Sequence, residues 1–282
     1  TLFDALALTL VAMLAMVLVP ELFTAMASAP DAAAPASAET RGPAAVDPLL
    51  LALGTLLAIG AALVPGLVLY GRRGVSPVEA LGLRPVPLRT ALLAGIAGLA
   101  LQIPLTEVQN LAELFLPVSP KQERLLHELM NPSGIGQIIS ILLAVVVVVP
   151  CCEEALFRGL ILQGLERHHG AGPGLLYSAL LFGLAHANLP AVVLPAAVAG
   201  FFLGLVWLRW RSLLPAILLH AAFNLMPLLL PESLVAIEGF NTLDHGVSHV
   251  PLAVLLPITA VAAASLRGLL AETRADEDGP KT

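Results

Sequence analysis

Charged side chains are scarce in this chain. Only 12% of its 282 residues are Asp, Glu, Lys or Arg, about half of the roughly 25% that a water-soluble domain carries. Aromatic residues are few as well, at 5%, whereas 58% of the residues are hydrophobic. This composition excludes an ordinary soluble enzyme and is typical of a helical membrane protein.

Basic clusters and spaced cysteines are also missing. The net charge is −6, and no basic patch exists to meet a polyanion, so a nucleic acid partner is excluded. The two cysteines, Cys151 and Cys152, are adjacent and cannot form a disulfide framework. We interpret them as small residues that let helices pack closely, with a substrate-facing wall or a catalytic thiol as the alternatives.

Long apolar runs dominate the rest of the chain. Each membrane crossing needs about 20 mostly apolar residues, and the sequence predicts an all-α, polytopic transmembrane bundle of about eight spans. The predicted spans are residues 2–26, 48–70, 90–116, 135–165, 174–189, 191–208, 213–230 and 250–266.

The runs divide the chain into three predicted regions. Residues 1–134 hold the N-terminal spans, a loop at 28–47 rich in Ala, Pro and Ser, and an interfacial segment at 104–134. Within that segment, residues 120–130 have the apolar spacing of a short helix on the membrane surface. Residues 135–270 form the core that carries the polar motifs, and residues 271–282 are an acidic tail. Ala27-Ser28-Ala29 resembles a signal-peptidase site, but no basic segment precedes the first run, which favours a retained span.

The distribution of basic residues predicts the orientation of the bundle. With the N-terminus inside, eleven of the 14 Lys and Arg residues face the cytoplasm, and Arg41, Lys121 and Arg124 lie outside. Cytoplasmic loops are enriched in such residues, so both termini are predicted to be cytoplasmic. The high Ala and Pro content suggests a GC-rich genome, and we expect a multi-pass protein of a bacterial inner membrane.

Ionisable residues inside the apolar runs indicate a functional site, because burying them in a membrane is costly. Glu154 and Arg158 are four residues apart and share one helix face, which suits an ion pair. Glu153 points elsewhere and has no partner nearby in the sequence. The carboxylate of Glu154, paired with Arg158, can therefore be structural, whereas Glu153 is suited to proton transfer.

Two further motifs lie on later apolar runs. Phe182 and His186 are four residues apart, as are His220 and Asn224. A histidine and an amide on the same face can both donate hydrogen bonds to a developing negative charge, as an oxyanion hole requires. The alternative is that these side chains only link helices by hydrogen bonds.

Together, the three motifs resemble those of the CAAX-protease and bacteriocin-processing family, which includes the type II CAAX prenyl endopeptidases. The family pattern is Glu-Glu-x-x-x-Arg, then Phe-x-x-x-His, then His-x-x-x-Asn, and residues 149–224 match it. The resemblance implies an intramembrane endopeptidase with a helical bundle of eight spans. It also implies a role for each motif residue: Glu153 and His186 would activate a water, His220 and Asn224 would stabilise the oxyanion, and Glu154 with Arg158 would hold the geometry.

The resemblance implies a membrane-associated peptide or protein substrate with a C-terminal or lipidated tail. We expect no cofactor, because the spacing lacks the compact His-Glu-x-x-His arrangement of zinc proteases and Asn224 is a poor zinc ligand. Zinc held by the two histidines and two glutamates is the alternative. A transporter or proton relay, and a non-catalytic immunity scaffold, are the other functional classes considered. No inverted repeat supports the transporter, and no motif residue is lost as in a degenerate scaffold.

Overall fold

The computed structural model describes residues 76–118, 132, 134–242 and 247–271, with scattered residues between 56 and 72. The described residues form helices, turns and irregular segments without a strand, so the all-α prediction is confirmed for this part of the chain. The helices are α1 (Pro77–Leu81), α2 (Leu88–Glu113), α3 (Ile135–His169), α4 (Ala171–Leu184), α5 (Val193–Trp210), α6 (Leu213–Leu229) and α7 (Leu252–Ala271), and a 3₁₀ turn (Pro190–Val192) precedes α5.

Four helices in the described ranges are long and apolar enough to cross a membrane: α2, α3, α5 with its 3₁₀ turn, and α7. The apolar helices α4 and α6 are shorter, at 14 and 17 residues. The predicted span 2–26, most of 48–70, the loop 28–47, the surface helix 120–130 and tail residues 272–282 lie outside the described residues. The count of eight spans and the side on which the termini lie therefore stay predictions.

Helix α2 extends through Pro104 to Glu113, so the first ten residues of the predicted interfacial segment belong to this helix. Helix α4 is shorter than the predicted span 174–189 and ends at Leu184. Leu189 has φ −124° and ψ 86°, as expected because a proline disfavours the helical conformation of the residue before it. Helix α4 ends at Leu184, so His186 lies in the turn just beyond the end of the helix.

Basic residues gather at one end of the bundle, where the chain leaves α5 and enters α6. Arg211 donates two hydrogen bonds to Glu166, near the end of α3, and this raises the pKa of Arg211. The Ser212 hydroxyl donates to the carbonyl of Arg84 at 2.7 Å and caps the first turn of α6. These bonds tie the start of α2, the end of α3 and the α5–α6 turn together. That this end of the bundle faces the cytoplasm stays a prediction from the sequence.

Helix α2 packs against α6 and α7, and its contact with α6 depends on Gly98. A Cβ placed on Gly98 would lie 2.1 Å from the carbonyl oxygen of Leu219 and 2.9 Å from the Cβ of Ala222. The two backbones can approach this closely because glycine has no side chain, as at many helix contacts in membranes. This contact brings α2 alongside the helix that carries His220 and Asn224.

Replacing Gly98 with alanine should destabilise the protein by about 1–3 kcal/mol, because the added methyl forces α2 away from α6. Gly95 is the matched control: it lies on the same helix, and a Cβ there would meet nothing within 4 Å. Gly95→Ala should leave stability unchanged or raise it slightly, since alanine favours the helix. Thermal unfolding in detergent micelles measures both. Equal melting temperatures for the two variants would contradict this description of the α2–α6 contact.

Helix α3 contains two π-helical segments, Leu142–Val148 and Phe157–Leu162, on either side of the α-helical stretch Val149–Leu156. Such segments are rare and occur frequently at functional sites. A π-helical turn contains one more residue than an α-helical turn, so the residues after it point to a different side of the helix than regular α-helical spacing predicts. Glu153 and Glu154 lie on the α-helical stretch between the two π-helical segments.

Candidate active site

The candidate site is built around the buried ion pair of Glu154 and Arg158. Both side chains are 0% exposed, and Arg158 Nη1 donates to Glu154 Oε1 at 2.8 Å. Arg158 Nη2 donates to the carbonyl of Gly200 on α5 at 2.9 Å, and the guanidinium lies 4.6 Å from the centre of the Phe182 ring. Opposite charges, a carbonyl and an aromatic face offset the cost of burying the arginine. The pair predicted from the four-residue spacing is thus present and also links α3 to α5.

His220 joins this pair from α6. Its Nδ1 lies 2.9 Å from Glu154 Oε1, and the carboxylate is an acceptor, so Nδ1 carries the proton. In a neutral ring the other nitrogen, Nε2, then has the free lone pair. Glu154 therefore fixes both the orientation and the tautomer of a histidine that lies 66 residues further along the chain.

Glu153 is only 3% exposed, but it is bonded quite differently from Glu154. Its Oε2 finds no hydrogen-bond donor among the residues the structure describes and lies 3.9 Å from His220 Nε2. A buried carboxylate oxygen without a donor is costly. This oxygen is therefore able to accept a hydrogen bond from a bound water.

Phe182 separates the two histidines. Its ring centre lies 5.0 Å from that of His186 and 5.9 Å from that of His220. The His186 Nδ1 lies 2.8 Å from the Phe182 carbonyl oxygen, which can only accept, so Nδ1 carries the proton. The Nε2 of neutral His186 is consequently free to act as a base or a hydrogen-bond acceptor.

Asn224 makes a contact that its spacing from His220 does not predict. Its Nδ2 donates to the carbonyl of Val145, in the first π-helical segment, at 2.9 Å. The i+5 donor that this carbonyl would need is Pro150, which has no N–H. The signal for this contact is visible in the sequence as a proline inside an apolar run, five residues after Val145. The amide has a second N–H, so Asn224 retains one donor for a ligand.

A cavity of about 320 Å³ adjoins these residues. Phe182, His186, His220 and Asn224 all contribute to its lining. Its remaining walls come from α2, the 3₁₀ turn, α5 and Phe240. The site thus combines a partly open, largely apolar cavity with two histidines and an amide on its surface and two carboxylates next to them.

The residues of the site differ in their capacity to hold a metal. In the described ranges, no group of three or more His, Cys, Asp or Glu side chains is arranged to hold a metal ion. Glu154 Oε1 already accepts from Arg158 and from His220, so that oxygen is not a free ligand. Chelation of the purified protein is therefore the direct test of metal dependence.

The sequence model of one protein family matches this part of the chain. Its description is "Type II CAAX prenyl endopeptidase Rce1-like", and the match covers residues 135–226, about a third of the chain. Residues 135–226 are similar to the Rce1-like family. The resemblance drawn from the three motifs is therefore confirmed, and the Rce1-like segment contains every motif residue. The chain matches no curated protein and no solved structure.

At the level of the family, the Rce1-like match supports a CAAX-type intramembrane endopeptidase. It agrees with the long apolar helices of the structure. The substrate, the roles of individual residues and the type of protease are finer assignments, and they belong to the proposed function.

The structure also brings in groups that the motifs did not include. The Gly200 carbonyl accepts from Arg158, and a Cβ on Gly200 would lie 3.1 Å from the Phe182 ring. A small residue in an apolar helix gives no indication of such a role in the sequence. Cys151 is exposed and Cys152 is partly buried, and neither lines the cavity.

Proposed function

We propose that this protein is an intramembrane endopeptidase in which Glu153 and His186 activate a water for attack on a peptide bond. The observation that carries the proposal is the cavity lined by His186, His220 and Asn224, next to Glu153, whose Oε2 has no hydrogen-bond donor among the described residues. A base, donors for an oxyanion and a cavity that can hold the peptide are the parts that peptide hydrolysis requires.

The Glu153 carboxylate accepts a proton from the water as the water oxygen bonds to the carbonyl carbon of the scissile peptide. The lone pair on His186 Nε2 accepts a hydrogen bond from the same water and orients it. As the C–N bond breaks, the proton passes from Glu153 to the leaving nitrogen. The carboxylate is regenerated, and the products are an acid and an amine.

The oxyanion is stabilised by His220 and Asn224. Because Nδ1 of His220 donates to Glu154, donation to the oxyanion comes from Nε2, so the ring carries both protons before the water attacks. In that resting state His220 is an imidazolium between two carboxylates, Glu154 and Glu153, and Glu153 becomes a neutral acid when it accepts the proton of the water. Asn224 supplies the N–H that is not bonded to Val145. Arg158 holds Glu154, and through it His220, in this geometry.

The substrate proposed is a membrane-associated peptide or protein whose C-terminal tail is lipidated or apolar. The cavity is lined mainly by leucine, valine, alanine and phenylalanine side chains, which favour apolar tails. The Rce1-like match points to a prenylated C-terminus.

The test is cleavage of a panel of farnesylated and unmodified C-terminal peptides by purified protein in detergent, with and without a chelator. We expect at least one lipidated peptide to be cleaved at a rate that a chelator does not change. Loss of cleavage on chelation, restored by zinc, would replace the water-activation scheme with a metal-dependent one. Absence of cleavage by folded protein across the panel, together with absence of peptide binding, would overturn the proposed function.

A further inference from the structure

The α2 wall of the cavity carries a row of polar side chains outside the Rce1-like segment. Gln102, Thr106 and Gln109 all line the cavity, at spacings of four and three residues that place them on one helix face. Polar side chains on a membrane-spanning helix are costly unless they serve packing or function. None of the three motifs includes them, so their presence on this wall needs a separate explanation.

These side chains present hydrogen-bond acceptors. The Oε1 of Gln102 is buried and finds no donor among the described residues. The Thr106 hydroxyl gives its proton to the carbonyl of Gln102 at 3.0 Å, so its oxygen keeps its lone pairs for accepting. The Nε2 of Gln109 donates to Glu113 at 2.9 Å, and its carbonyl oxygen is not used in that bond. Each of the three side chains therefore has an oxygen that can still accept a hydrogen bond, and the Oε1 of Gln102 is the buried one without a donor among the described residues.

The depth of Gln102 matches that of the proposed oxyanion hole. Gly98 of α2 touches the backbone of α6 at Leu219. The α2 and α6 helices start at the same end, because Ser212 binds the carbonyl of Arg84. One further turn, about 6 Å along each axis, leads to Gln102 on α2 and to Phe223 on α6. Gln102 therefore lies at the level of Asn224, across the same cavity.

An extended peptide offers the complementary donors. Its N–H groups point to the same side at every second residue, about 6.6 Å apart. Gln102 and Thr106 are separated by four residues, or about 6 Å along the helix. An unpartnered buried acceptor costs free energy until it is paired, so a peptide N–H at this position would gain affinity from the pairing.

We propose that the acceptor row Gln102–Thr106–Gln109 binds the backbone N–H groups of the substrate in an extended conformation and so positions its scissile bond beside His186 and Asn224. This inference rests on the proposed function. Gln102 is in this view a positioning residue, which acts on binding and register rather than on the chemical step.

The test combines a protein variant with a peptide variant. The probe is a farnesylated C-terminal peptide, compared with analogues that are N-methylated at one backbone amide each. Its binding is measured by fluorescence anisotropy with the non-cleaving Glu153→Gln protein in detergent. At one position, N-methylation should weaken binding about five- to tenfold, the loss expected for one hydrogen bond. In Gln102→Leu, binding of the unmethylated peptide should weaken by the same factor, and N-methylation at that position should have no further effect.

Gln163→Leu is the matched control, because Gln163 lies on α3 and does not line the cavity. It should leave affinity and the N-methylation pattern unchanged. In the cleaving protein, Gln102→Leu should raise KM with little change in kcat. Wild-type cleavage with the same KM and N-methylation pattern in Gln102→Leu would overturn this inference alone. If the wild type neither cleaves nor binds any peptide, the proposed function fails and this inference fails with it.

Discussion

Replacing Arg158 with methionine should lower the free energy of unfolding by about 3–5 kcal/mol, the cost of leaving a buried charge without its partner. The guanidinium is fully buried and bonded to Glu154 and Gly200. Without it, Glu154 has His220 as its only remaining partner among these contacts. Unfolding in detergent by heat or by titrated SDS measures the change.

The double variant Arg158→Met with Glu154→Gln should recover part of this loss, because a neutral amide replaces the unpaired carboxylate. Arg167→Met is the matched control, since Arg167 lies on the same helix but is exposed, and its change should stay within about 0.5 kcal/mol. A loss in Arg158→Met no larger than in Arg167→Met would mean that the buried pair does not hold α3 in place.

The local parts of this site could be predicted from the sequence because they depend on helix periodicity. The spacing of Glu154 and Arg158 fixes a shared face, and the structure has the corresponding ion pair. The apolar runs likewise predict the helices, and the four long ones in the described ranges coincide with predicted spans. Their ends are harder to predict: α4 ends at Leu184, five residues before the predicted end of its span at residue 189.

Contacts between distant segments could not be predicted in this way. The bond from His220 to Glu154 depends on how α6 packs against α3, and the π-helical segments of α3 shift side-chain positions away from the regular helix spacing. Helix spacing predicts that His220 and Asn224 act together, because the two share a face. In the structure, His220 bonds to Glu154 and Asn224 donates one N–H to the carbonyl of Val145. The missing N–H of Pro150 explains the second contact.

Replacing Glu153 with glutamine should reduce kcat for peptide cleavage by about 10²–10⁴-fold, the usual contribution of a general base. Glutamine has nearly the same shape but cannot accept the proton of the attacking water. Stability should be retained or should rise, because the change removes a buried negative charge whose Oε2 has no hydrogen-bond donor in the described part of the chain. Steady-state cleavage of the best lipidated peptide and thermal unfolding are measured on the same sample.

The comparison with Glu154→Gln separates the two neighbouring acids. Glutamine at 154 leaves the Arg158 charge buried without its carboxylate, so that variant should lose stability and activity together, whereas Glu153→Gln should lose activity alone. Glu166→Gln, at the far end of the same helix and bonded to Arg211, should keep activity within about twofold. If Glu153→Gln cleaves at the wild-type rate, the base must be another group. His186 is then the next candidate, because its Nε2 is free and it lines the cavity.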